Sequence, residues 1–314
     1  MDNYYTYHYH FNSSTRDLLL KHDIKAYGTI HTIDSCMDFS RIPFRKGNHA
    51  QDQNCEFTTD GTAHINTKIA VAHGTYMGSI ILDIASDASI LNTVVKEKLK
   101  ISELIDKLEK IVSHKALDPI SDQNGELFES HTPVTILNFP VVLHAVHNAD
   151  AVLVRIVELL CSMNVLLVVP LGNGASNIVP APAGTTLSEN SEDCLVRVGA
   201  LSIPDGSLYK IYNTSNWDHS LEMLFAPGEK IPAYGPLSDT RVFVSGTCPA
   251  SAIVAATLAL MRSCNPMLSA KELKDVLYKS SIHSHLEDWD VNAKTHVFDI
   301  ASAISGTCIN TTDY

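Results

Sequence analysis

The chain has 314 residues, 45% of them hydrophobic, and a formal net charge of −12. That length and apolar content suit a large folded core and exclude a wholly disordered chain. Lys and Arg are scattered, with no basic stripe to hold a phosphate backbone, so nucleic acid is excluded as a partner.

The opening MDNYYTYHYHFNSSTRD has no basic segment leading into an apolar one, so no secretory signal is visible. The longest apolar runs, 151-AVLVRIVELL-160 and 250-ASAIVAATLALM-261, are interrupted by charge or too short to span a bilayer. Seven cysteines stand at 36, 55, 161, 194, 248, 264 and 308, without close pairs. This spacing indicates neither a zinc ribbon nor a dense disulfide framework. The expectation is a cytoplasmic chain with reduced thiols and no membrane contact. Oligomeric state is left open.

In chain order, 27-YGTIHTID-34 reads as a strand that runs into Asp34. A helix is expected from His73 in 73-HGTYMGSIIL-82. The segment 101-ISELIDKLEKIV-112 puts Ile101, Leu104, Ile105, Leu108, Ile111 and Val112 on one helical stripe. Strand 134-VTILNF-139 follows, then a helix over 148–163 with Asn148 as its cap. Strands 165-VLLVVP-170 and 195-LVRVGAL-201 are nearly all apolar, as strands covered on both faces are. A hairpin around Asp205-Gly206 spans 203–213.

Further along, Pro249 suits a first helical turn, so Cys248 is expected to cap a helix. Ser269 and Glu272 form a capping-box pattern for a last helix over 269–280. Residues 40–66 and 114–133 read as irregular surface insertions. The alternation implies an α/β fold: a mainly parallel, doubly wound sheet with helices on both faces. No repeat or long linker divides it, so an N-terminal arm, 1–26, and one domain, 27–314, are expected.

Four short stretches carry chemistry. Asp34 ends a strand, where α/β sheets gather functional groups. An imidazole, His73, stands at a helix start. Strand 165–170 delivers the Gly-rich turn 171-LGNGASN-177, whose Asn173 offers an amide donor. Cys248 sits in 243-FVSGTCPASAIVAATLAL-260 at a helix N-terminus, which favours negative charge. Singly, each has a plainer reading: a turn residue, a cap, a tight turn, a packing thiol.

Together, Asp-Ser, His-Gly-Thr, Gly-Asn and Gly-Thr in this order resemble the subtilisin-like serine proteases, the subtilases. The resemblance covers about residues 27–280. It takes in 85-ASDASILNTVV-95, 198-VGAL-201, 213-NTSN-216 and 225-FAPGEKI-231 as further landmarks.

The resemblance implies an endopeptidase in which Asp34 orients His73 and His73 moves the proton. Cys248 is then the nucleophile, where the family has Ser. Asn173 and the Cys248 backbone N–H form the oxyanion hole. Asn138, Phe139, Pro140, Val141, Val142, Leu171 and Gly172 flank the substrate, a peptide or protein bound as an added strand. Cys36 replaces the family's Gly, and Tyr76 its second His. Val142 stands where a Gly lets substrate backbone approach. These departures leave a second reading open, a pseudoprotease that binds a peptide without cutting it.

No cofactor is required by this chemistry. The family's calcium sites are implied by analogy, yet no acidic loop has the regular spacing of one. His8/His10 and His283/His285 lack a third ligand and read as surface histidines, so no metal site is assigned. Asp34, His73 and Cys248 together offer a ligand set suited to Zn²⁺ as an inhibitor.

Overall fold

The structure, a computed structural model, describes residues 24–26, 28–43, 47–51, 55–57, 62–65, 68–71, 73–95, 104, 106–108, 111, 135–140, 149–202, 209–236, 240–282, 286 and 294–308. Val141, Val142, Asn148, the Asp205-Gly206 turn, both His-x-His pairs and the arm before residue 24 lie outside them.

Thirteen strands are found among the described residues. They are β1 (Thr29–Asp34), β2 (His49–Gln51), β3 (Glu56–Phe57), β4 (Thr62–Ile65), β5 (Lys68–Val71), β6 (Ser89–Val94) and β7 (Thr135–Asn138). The rest are β8 (Val165–Pro170), β9 (Leu195–Leu201), β10 (Met223–Pro227), β11 (Ile231–Ala233), β12 (Val242–Val244) and β13 (Thr295–Val297).

Eight of them form one sheet in the order β13-β10-β9-β8-β7-β1-β6-β2. Every pairing in it is parallel. β8 and β9 are buried along their whole lengths. Their almost wholly apolar runs, broken only by Arg197 in β9, follow from cover on both faces.

That cover comes from α1 (His73–Ile84), α3 (Thr247–Cys264), α4 (Ala270–Lys279) and α5 (Ile300–Cys308) on one side and α2 (Ala149–Ser162) on the other. Alternate residues of a strand serve alternate cores. Leu166 and Val168 pack with α1 and α3, whereas Leu167 and Val169 pack with Val157 and Leu160 of α2. Leu104, Leu108 and Ile111 are buried in the second core, which realises the described part of the expected stripe.

Helix α3 runs through the middle of the first core. Its Ala250, Ala252, Ala255, Ala256 and Ala259 are fully buried, and such small side chains let neighbouring elements approach closely. By length and composition this 18-residue helix could cross a membrane, longer than the sequence run suggested, yet 83% of that stretch is buried inside the fold. That is how the core helix of a packed domain looks. The capping box at Ser269 and Glu272 is present on α4.

Several expectations are corrected. Residues 40–66 supply edge strand β2 and two strands of a small antiparallel sheet, β3-β4-β5, rather than irregular chain alone. The thiols are not all reduced: disulfides join Cys36–Cys55, Cys161–Cys194 and Cys264–Cys308. Of the described cysteines only Cys248 is unpaired. The expected 203–213 hairpin is visible at its base, where Ser202 N donates to Lys210 O and Tyr212 N to Ala200 O, each at 2.8 Å.

β1 is flanked by β6 on one side and β7 on the other, so successive crossovers diverge from it. A crevice opens beyond the carboxyl ends of strands at such a point. The ends of β1, β7 and β8, neighbours in the sheet, lie at this switch point.

Candidate active site

Asp34 is the last residue of β1 and only 2% exposed. Its Oδ1 accepts a hydrogen bond from Ser35 N at 2.6 Å and lies 2.8 Å from His73 Nδ1. A carboxylate can only accept, so Nδ1 carries the proton and Nε2 is left for other work. His73 opens α1, and the next residue is anchored too: Gly74 N donates to Ser35 Oγ at 2.8 Å. The imidazole side chain is 39% exposed.

The His73 pKa is raised well above its ordinary 6.5. Burial of the ring pulls it down. The charge and hydrogen bond of Asp34 outweigh that, helped by the hydrogen bond and charge of Cys248 against the ring.

Cys248 lies in the first turn of α3. The cap is Gly246, with φ 136° and ψ −174°, so Cys248 is the second helical residue and not the cap the sequence suggested. A glycine at this backbone geometry moves the helix start two residues earlier than Pro249 alone implies. The half-buried thiol donates to Pro140 O at 3.4 Å, just beyond the end of β7.

Asn173 follows β8 and faces the same turn. Its Oδ1 accepts from Thr247 N at 2.9 Å and from Thr247 Oγ1 at 3.2 Å. Because an N–H can only donate, the Thr247 backbone fixes which way round the amide sits. Nδ2 is thereby turned out and has no partner among the described residues. Of the first backbone N–H groups of α3, Thr247 is taken by Asn173, Pro249 has none, and Cys248 N remains unpartnered among the described residues. Asn173 Nδ2 and Cys248 N are thus two donors left without a partner among the described residues.

Among the expected substrate-flanking residues, Asn138, Phe139, Pro140, Leu171 and Gly172 are all buried. Pro140 contributes its carbonyl and Gly172 its N–H, which donates to Thr247 Oγ1 at 3.2 Å. Among the described residues no three His, Cys, Asp or Glu side chains form a group that could hold a metal ion. The zinc expectation for Asp34, His73 and Cys248 therefore finds no support in the arrangement of the described residues.

Sequence reasoning missed Thr247 and Asn216. Thr247 looks like an ordinary helix-start residue. Asn216 belongs to the landmark 213-NTSN-216, but nothing in its spacing shows that it touches the loop carrying Asn173.

An eight-stranded parallel sheet with helices on both faces, and a site at the ends of β1, β7 and β8, define the subtilisin-like α/β fold. No protein-family model and no curated protein matches the chain. Solved structures do. The prenylagaramide maturation protease PagA is 21% identical, with TM-score 0.69, over 94% of this chain and 98% of its own. The A-subunit of the AB5 toxin from E. coli is 24% identical, with TM-score 0.69, over 97% and 99%. A cold-adapted subtilisin-like serine proteinase is 17% identical, with TM-score 0.62, over 86% and 87%.

Proposed function

We propose that the chain is a peptidase in which Cys248 is the nucleophile, His73 the general base and acid, Asp34 its orienting group, and Asn173 an oxyanion donor. The observation that carries this reading is the buried Asp34 carboxylate 2.8 Å from His73 Nδ1, which leaves the other ring nitrogen for the thiol. The proteolytic activity in the names of neighbours such as PagA supports it.

In the reaction, Sγ attacks the scissile carbonyl carbon while its proton passes to His73 Nε2. The carbonyl oxygen becomes negative and is held by Asn173 Nδ2 and Cys248 N. The C–N bond then breaks and the imidazolium gives its proton to the leaving amine. Water, deprotonated by His73, attacks the thioester and releases the acid and the thiol. The substrate is a peptide or protein segment laid beside Pro140 as an added strand.

The three disulfides support an oxidising compartment rather than the cytoplasm expected from the sequence.

The test is cleavage of a diverse peptide library by the chain, its Cys248→Ser variant and its His73→Ala variant, read by mass spectrometry. Turnover by the first and not the third supports a thiol peptidase. Turnover by Cys248→Ser alone makes the scaffold a serine-type enzyme and the thiol its impairment. Silence from all three folded proteins sinks the peptidase reading and leaves peptide binding.

A further inference from the structure

Asn173 can donate to an oxyanion only if its own loop is held still, and the described side-chain bonds of Asn216 all go to that loop. Asn216 is 4% exposed and follows β9 in the chain. Its Nδ2 donates to Leu171 O at 3.0 Å and its backbone N to Gly172 O at 2.9 Å, both just before Asn173. Its Oδ1 accepts from Gly174 N at 2.8 Å and from Ser176 N at 3.2 Å, both just after.

The amide packs closely against the turn. A Cβ on Gly172 would come within 2.8 Å of Asn216 Nδ2, and one on Gly174 within 3.0 Å of Oδ1. Gly172 itself sits at φ +94°. Flanking residues extend the seam, with Ala175 N donating to Thr214 O at 2.9 Å and Trp217 N to Ser176 O at 3.0 Å. Thr247 grips the other side of the turn through Gly172 N and Asn173 Oδ1. Asn173 is thus clamped between two partners, and Asn216 is the one buried beneath it.

We infer that Asn216 is a positioning residue for oxyanion stabilisation: it fixes the backbone from Leu171 to Ser176 so that Asn173 Nδ2 faces the reacting carbonyl oxygen. This rests on the peptidase reading for its catalytic consequence, though the clamp has a readout of its own. A misplacement of about 1 Å in a catalytic group can cost about 100-fold in rate. Asn216→Ala is therefore expected to lower kcat about 10- to 100-fold with KM within about twofold.

The experiment is a double-mutant cycle in whichever of the Cys248 and Cys248→Ser forms turns over peptide, with amide hydrogen exchange on the same proteins. On an Asn173→Ala background, Asn216→Ala should cost little further kcat, because it acts through Asn173. An equal factor on both backgrounds would overturn the inference, as a purely structural role predicts. Exchange at Gly174 N and Ser176 N should accelerate in Asn216→Ala and be restored in Asn216→Asp, which keeps the acceptor. Unchanged exchange also overturns it. If the alanine variant does not fold, Asn216→Asp carries the cycle, through the lost donor to Leu171 O. If no form cleaves peptide, the peptidase reading fails by itself, and exchange at those two amides still decides whether Asn216 is the clamp.

Discussion

Replacing Gly246 by alanine should damage the candidate site and the fold by separable amounts. Gly246 caps α3 at φ 136° and ψ −174°, a region that other residues occupy at a cost of about 1–3 kcal/mol. A Cβ there would also lie 3.0 Å from Asn173 Oδ1 and 3.1 Å from Nδ2, closer than ordinary contact. Asn173 must shift, loosening its bonds to Thr247 N and Oγ1 and turning Nδ2 away from the oxyanion position.

Complete loss of such a donor costs about 100- to 1,000-fold in kcat. A displaced donor should cost less, about 10- to 100-fold. Urea unfolding and peptide kinetics, on Gly246→Ala alone and with Asn173→Ala, separate the two effects. The stability loss of about 1–3 kcal/mol should persist in the double variant, since the backbone geometry is unchanged. The further kcat loss should vanish there. Wild-type stability together with wild-type kcat in Gly246→Ala would refute both halves of the reasoning.

Asp34→Asn should lower the His73 pKa, because burial then acts without the opposing carboxylate charge; an NMR titration of the ring protons checks it. In the parent chain the raised His73 pKa adds stability that is full below pH 6.5 and fades as pH rises through the folded value, so this variant should flatten that part of the pH–stability profile. Arg197→Met should cost about 3 kcal/mol in chemical denaturation, near the low end for a broken buried pair, since Glu192 is 32% exposed and can hydrate. Glu192 is held below its usual 4.5, where burial is outweighed by the Arg197 hydrogen bond and charge. Its contribution should therefore be complete above pH 4.5 and disappear as pH falls through the lowered value, and Arg197→Met should remove that acid limb. Replacing Cys264 and Cys308 by serine frees a loop of 44 positions and should cost up to about 4 kcal/mol by loop entropy; an unchanged denaturation midpoint would contradict it.

The central strands were legible because burial on both faces selects mostly apolar residues: 165-VLLVVP-170 and 195-LVRVGAL-201, in which Arg197 alone is charged, coincide with β8 and β9. β2 and β13, three residues each, carry too little pattern to be read. The disulfides escaped notice because partners 19, 33 and 44 positions apart leave no local mark. At the site, Asp34, His73, Asn173 and Cys248 each stood on a recognisable kind of element. What the sequence could not convey was the grip on Asn173, since Thr247 and Asn216 meet it only in three dimensions.

The position of β1 has a consequence for how the molecule forms. It is the first strand along the described chain and yet lies inside the sheet, pairing Thr32 with both Asn92 and Asn138. Such distant pairings close large loops before any contact rewards them, so folding of this sheet is slow. Asp34 ends β1, which is held between β6 and β7, and Cys248 lies on α3, which packs against α1 and β8. The thiol and the carboxylate are thus brought to one place only by chain segments more than 200 positions apart.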